Sequence, residues 1–240
     1  MVHQTPAIIL KQTNYGDSSL IVQAFTKKFG LQSYLVNGAL KPKAKIRASV
    51  LRPMHLVEIV SSYRENQSLH RISEARVAPV FLSIPYDIRK STVAIFLNEV
   101  LYKCLRQQGP DESLFDFVFH AVSWLDVTDE MPAGFHLHFL MRLTRFLGFH
   151  PTAQRPGQSY FDLYEGIFRT HRPPHPMFIE EPHASRLSQL ASLPMESTHT
   201  LRMPAAERRA LLHKIVLFYQ LHVDGLGELK SLPILEELLA

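Results

Sequence analysis

The chain has 240 residues, 46% of them hydrophobic and 20% charged, with a formal net charge of +4. That composition can bury a core and excludes disorder throughout, and no stretch approaches the roughly 18 consecutive apolar residues of a membrane helix. A single cysteine, Cys104, excludes an internal disulfide and a four-cysteine zinc site. The opening Met1-Val2-His3-Gln4-Thr5-Pro6 lacks the basic-then-apolar layout of a secretory signal, so the expectation is a reduced, cytoplasmic protein.

Residues 1–80 predict five strands. Residues 6–13 are apolar and β-branched, and Asn14-Tyr15-Gly16-Asp17 turns the chain. Residues 19–26 have strand composition and end at Lys27-Lys28-Phe29-Gly30. A third strand, 31–36, stops at Asn37-Gly38. The segment 39–48 is poor in strand formers and reads as a loop, and strands follow at 50–62 and 68–80 around the polar turn 63–67. Met54, Leu56, Val57, Ile59 and Val60 put apolar groups on both faces, as in a sheet that closes on itself. Five short strands fit a small OB-type barrel, with an SH3-like barrel as the nearest competitor.

Beyond Pro79 the period becomes helical. Val93, Phe96, Leu97, Val100, Leu101, Cys104 and Leu105 form an apolar stripe that ends at Gly109-Pro110. Asp111 is placed to cap a very apolar helix to Leu125, buried or offering a partner groove. A third helix covers 133–147 and stops at Gly148. Residues 149–204 are proline-rich and show little periodicity; helices follow at 205–223 and 232–239. The expected class is α+β: an OB-fold barrel over 1–80, then an all-α helical domain over 81–240 with an irregular insertion at about 149–204.

Charge divides the chain. Residues 1–80 hold eleven Lys/Arg against four Asp/Glu, whereas residues 81–240 hold fifteen against eighteen. The basic excess points to a polyanion surface on the front part. Lys41, Lys43, Lys45 and Arg47 alternate with uncharged residues, and no acid lies between Lys27 and Glu58. If the segment is extended, its cations fall about 6.5–7 Å apart, near the single-strand phosphate repeat. Lys11, Lys27, Lys28 and Arg52 extend the track, and Tyr15, Phe29 and Tyr34 are candidates for base stacking. Phe29 and Tyr34 fit a core position equally well.

For metals and catalysis the sequence is quiet. His171 and His175 are separated by Pro173-Pro174, which forbid a helix, and His136 and His138 are two apart. No Gly-x-Ser-x-Gly elbow, phosphate-binding loop or dinucleotide fingerprint occurs. The expectation is no enzyme, no cofactor and no metal; Asp162, Glu165, Glu180 and Glu181 would be the acids of a metal-dependent nuclease.

The run "AIILKQTNYGDSSLIVQAFTKKFGLQSYLVNGALKPKAKIRASVLRPMHLVEI" resembles the opening of the bacterial recombination-mediator family RecO, and "RLTRFLGFHP" and "KSLPILEELL" resemble its later parts. The resemblance implies an OB-fold domain, a helical domain and a role in recombinational repair. It implies binding of single- and double-stranded DNA, annealing of complementary strands and, with RecR, loading of RecA onto DNA coated by SSB, whose acidic tail docks on the protein. It also implies work in the cytoplasm at the nucleoid. Many members carry a four-cysteine zinc motif after the Leu-Gly-Phe segment; here stands "HPTAQRPGQSYFDLYEGIFRTHRPPHP", without cysteine. Zinc is therefore not expected, and Tyr160, Phe161, Leu163, Ile167 and Phe168 are expected to hold this region by packing. The alternative reading is a protein–protein adaptor whose barrel binds an acidic partner.

Overall fold

The computed structural model describes residues 2–239, which divide into two compact units, one running to Thr128 and one starting at Asp129. The expected division at residue 80 marks the change from strand to helix. Compactness draws the line later, because the first two helices belong to the same unit as the barrel.

The first unit is built on β1 (Val2–Tyr15), β2 (Ser19–Thr26), β3 (Gly30–Val36), β4 (Leu56–Ser62) and β5 (His70–Val77). They close in the order β1-β2-β3-β5-β4, antiparallel except for the parallel join of β3 to β5. That is the five-stranded order of an OB barrel, and it excludes the SH3-like alternative. β1 is long enough to serve two neighbours: Val2–Ile8 pairs with β4, Ala7–Tyr15 with β2, and a bulge between Ile9 and Lys11 bends the strand. Ala7, Ile9, Leu20, Val22, Tyr34, Val57 and Ile59 point inward and fill the cylinder. The expected fourth strand over 50–62 is shorter in fact. Ala48–Leu51 form one 3-10 turn, His55 N–H donates to Arg52 C=O, and pairing begins at Leu56.

Helix α1 (Ile88–Cys104) lies on β1, where the Asn98 amide donates to Leu10 C=O at 3.0 Å. Helix α2 (Glu112–Val127) starts at Asp111, whose carboxylate accepts from Leu114 N–H at 2.9 Å. Near its end the Asp126 carboxylate accepts from the N–H groups of Leu82, Ser83 and Ile84, tying the strand-to-helix connection to α2. The buried Lys90 ammonium donates to Ser83 Oγ at 2.7 Å and to Asp126 C=O at 3.3 Å.

The second unit holds α3 (Phe135–Leu147), α4 (His183–Ser192), α5 (Ala205–His222) and α6 (Leu232–Leu238). Gly148, at φ 86°, ends α3 in the left-handed conformation. The expectation of an all-α second part needs correction. Within residues 149–204 lie a helix, α4, and a small antiparallel sheet of β6 (Tyr160–Asp162), β7 (Ile167–Arg169) and β8 (Phe178–Glu180), ordered β7-β6-β8. Three-residue strands are too short to print a period on the sequence. Phe161, Leu163 and Phe168 are buried, Tyr160 and Ile167 half-buried, and Phe161 meets Phe218 of α5 edge-on at 5.3 Å. Apolar packing therefore supports this region, as expected.

Candidate nucleic-acid interface

The connection from β3 to β4, residues 37–55, carries the basic cluster and is pinned to the barrel by apolar residues. Ala39, Ile46 and Leu51 sit in the barrel core, with Ala48 and Val50 packed against it. Gly38 at φ 67° starts the loop in a conformation that side chains disfavour. Two successive turns follow, closed by Lys41 N–H to Gly38 C=O and Ala44 N–H to Lys41 C=O, both at 3.1 Å. The loop is thus folded into turns rather than extended, so the regular phosphate-matching spacing is not its geometry. Its base rests on the β1–β2 turn, where Leu40 N–H donates to Ser18 C=O at 3.0 Å. Tyr15 flanks that turn and is 53% exposed.

Around this frame Lys41, Lys43, Lys45 and Arg47 all stand in solvent. Lys45 meets Glu74 at 3.1 Å, with side chains 72% and 63% exposed. Such a pair is worth about 0–1 kcal/mol and exchanges readily for a phosphate. Lys41, Lys43 and Arg47 make no ion pair among the described residues. Arg52 is exposed on the same connection, beyond the 3-10 turn.

The remaining candidates do not join them. Lys11 turns toward α1, its ammonium 5.2 Å from the centre of the Tyr102 ring. Burial would raise that phenol, but Arg106 and Lys11 hold it below its ordinary value. Lys27 and Lys28 occupy the β2–β3 turn, at the other end of the eight-residue β2 and roughly 23 Å away at ~3.3 Å per residue. The Lys27 ammonium donates to both Asp116 oxygens, at 2.8 and 2.9 Å, and this bond raises its pKa. Lys27 therefore ties the turn to α2 and is not a free cation. Lys28 Nζ lies 3.3 Å from His3 Nδ1. Phe29 stacks on Tyr63 at 4.0 Å and is half-buried. Tyr34 is fully enclosed at 0% exposure, and burial pushes its phenol up to about 12. Its stacking role is excluded, because no face of the ring reaches solvent.

The sequence reading passed over one group. The β4–β5 turn and the start of β5 border a cleft of about 440 Å³ lined by Arg64, Gln67, Leu69, His70, Arg71 and Leu35. Arg64 sits in what reads as a merely polar turn, and the two-pair β3–β5 ladder, Tyr34↔His70 and Leu35↔Arg71, is what brings Leu35 to it. Nothing local in the sequence announces that neighbourhood.

In the second unit no three His, Cys, Asp or Glu side chains converge as a metal site among the described residues. Asp162 is the centre instead. Its carboxylate, 2% exposed, accepts from Tyr164 N–H at 3.0 Å, Glu165 N–H at 3.2 Å and Arg169 Nε at 2.8 Å. His175 Nε2 lies 3.4 Å away. Burial works against its charge, but these donors keep the carboxyl below its ordinary pKa. The side chains present do not suit a four-thiolate zinc site: the unit holds no cysteine, and the Asp162 carboxylate already accepts three hydrogen bonds.

Two families match consecutive parts of the chain: Recombination protein O N terminal over residues 1–81 and Recombination protein O C terminal over residues 85–233. The chain is 39% identical over 240 residues to the DNA repair protein RecO of Bacteroides fragilis, covering 99% of each. Identity is 36% over 240 residues to that of Phocaeicola vulgatus, again covering 99% of each. With the DNA repair protein RecO of Flavobacterium psychrophilum it is 33% over 236 residues, covering 98% of each. Barrel order, the helical second part and matches over nearly the whole length agree, and the chain belongs to the RecO family of DNA repair and recombination proteins.

Proposed function

We propose that this chain is a non-enzymatic recombination mediator. Its barrel binds single- and double-stranded DNA through the β3–β4 loop, anneals complementary strands and, with RecR, helps RecA replace SSB. The setting is the cytoplasm, at the nucleoid. One observation carries the DNA-binding part: Lys41, Lys43 and Arg47 stand in solvent without ion pairs among the described residues, on a loop anchored by Ile46 and Leu51. Annealing requires a grip on phosphates that leaves base edges free for each other, and Lys/Arg contacts to the backbone give that grip. Family membership supports the RecR, SSB and RecA steps.

The test is a triple variant, Lys41→Glu, Lys43→Glu and Arg47→Glu, titrated against single-stranded DNA by fluorescence anisotropy at several salt concentrations. All three side chains are exposed, so the fold is retained. The expected result is weaker binding and a log K–log[salt] slope flattened by about 2, at ~0.7 per lost single-strand phosphate contact. Unchanged affinity and slope would overturn the loop's role. Salt-insensitive binding by the unaltered protein would favour the adaptor reading.

A further inference from the structure

Helix α1 buries Val93, Phe96, Leu97, Val100 and Leu101 on one side, and its far side is apolar as well. Ile88 and Ile95 stand there 65% and 59% exposed, and half-buried Tyr102 continues the line. Each is seven residues from the next, a step that turns an α-helix back to within about 20° of the same direction. A lone exposed isoleucine needs no explanation, but a line at this spacing is the seam by which one helix lies along another. The two ends of the line differ in charge. At the start the Asp87 carboxylate accepts from the N–H groups of Arg89 and Lys90, at 2.8 and 3.2 Å. At the end Tyr102 gathers two cations, the Lys11 ammonium and, on the turn after the helix, the Arg106 guanidinium, 4.9 Å from the ring centre. Arg106 also donates to the phenol oxygen at 3.1 Å. Tyr86, 86% exposed just ahead of Asp87, widens the apolar start.

We propose that this face is an interface between two copies of the chain, with their α1 helices side by side and antiparallel. The face is its own complement when turned end for end about Ile95. Ile95 then meets the partner's Ile95 on the two-fold axis, and Ile88 meets the partner's Tyr102, as an isologous contact requires. Asp87 and the helix start come to the partner's Lys11 and Arg106, so carboxylate faces cation and opposite ends of the two helix dipoles adjoin. In the same register the exposed ring of Tyr86 reaches the partner's Arg106, a cation on an aromatic face. A parallel pair would set the cations of one copy beside those of the other, and is disfavoured on that ground. The inference deepens the proposed function and rests on it for its use. A pair carries two barrels and two basic loops, so two strands are held close together and their effective concentration rises.

The test uses the full chain without DNA. Sedimentation equilibrium over a range of protein concentrations should give a mass that rises from one chain toward two. Ile95→Glu alters an exposed position and spares the core, but sets two carboxylates on the axis. It should raise the dissociation constant at least about a hundredfold at an unchanged unfolding midpoint. Oxidation reads the register, since a disulfide needs Cα atoms within about 7 Å. Ile95→Cys should link to itself, Ile88→Cys should not, and a mixture of Ile88→Cys with Tyr102→Cys should link across; the native Cys104 is buried and stays out. In the antiparallel pair the two copies of Ile88 lie about 21 Å apart along the axis, at ~1.5 Å per residue. A single-chain mass at every concentration would overturn the proposal and leave the face to a protein of other sequence. Self-linking by Ile88→Cys as readily as by Ile95→Cys would overturn the antiparallel arrangement. Annealing by Ile95→Glu should slow at unchanged single-strand affinity, and an equal rate would overturn the two-strand use. If the loop triple variant keeps its DNA affinity, the DNA-binding reading fails while the mass measurement stands.

Discussion

Ile46 decides whether the basic loop is a structure or a tether. Its side chain is 7% exposed in the barrel core while its neighbours Lys45 and Arg47 stand in solvent, so one apolar residue sets where two charges sit. Ile46→Ala should cost about 2 kcal/mol, the low end for a buried branched residue at the edge of a core. It should also speed tryptic cleavage after Lys43 and Lys45, which denaturant titration and timed proteolysis check together. Tyr15 and Tyr34 test the stacking assignment from opposite sides. Tyr15→Ala should weaken single-strand binding about tenfold, since stacking a base on an aromatic ring is worth ~1–3 kcal/mol. Tyr34→Phe should leave it unchanged, and anisotropy reads both. The sequence named the loop cations because their run without acids is local. It left Tyr34 ambiguous because a tyrosine looks the same on either face; only the register that pairs it with Val22 and His70 turns it inward.

Among the elements, β2 and α2 were legible almost to the residue. β2 was bounded by turns on both sides, and α2 carried its own cap at Asp111. The sheet β6–β8 was not, because strands of three residues are too short to show a period. Asp162 gathers two backbone N–H groups and Arg169, which fixes the β6–β7 turn. Asp162→Ala should destabilise the protein by about 1–3 kcal/mol, since it removes the charged acceptor of three hydrogen bonds. Thermal melts of the two forms decide this. Chelation should leave the unaltered protein's midpoint where it is, and elemental analysis should find no stoichiometric zinc; a bound equivalent would overturn that expectation.

For the whole molecule, acidity is the lever. His136 is buried in α3, and burial, helped by Arg208, pushes its pKa down to about 3. Free in the unfolded chain, an imidazole titrates near 6.5. Between these values the unfolded state binds a proton that the folded state refuses, so stability is complete above about pH 6.5 and falls as pH drops toward 3. The slope from this one residue reaches about 1.4 kcal/mol per pH unit. His55, His70 and His150 are shifted down in the same direction by burial and add to it. His136→Leu should flatten the fall in stability between about pH 7 and about pH 5, as followed by chemical denaturation. Burial thus disfavours the protonated form of the imidazole at these four positions.

The join of β3 to β5 has a consequence of its own. Every other adjacent pair in the cylinder is laced by six or more rungs, whereas this one has two, Tyr34↔His70 and Leu35↔Arg71. The wall should part there first when heated, and amide hydrogens along this join should be the earliest of the sheet to exchange with deuterium.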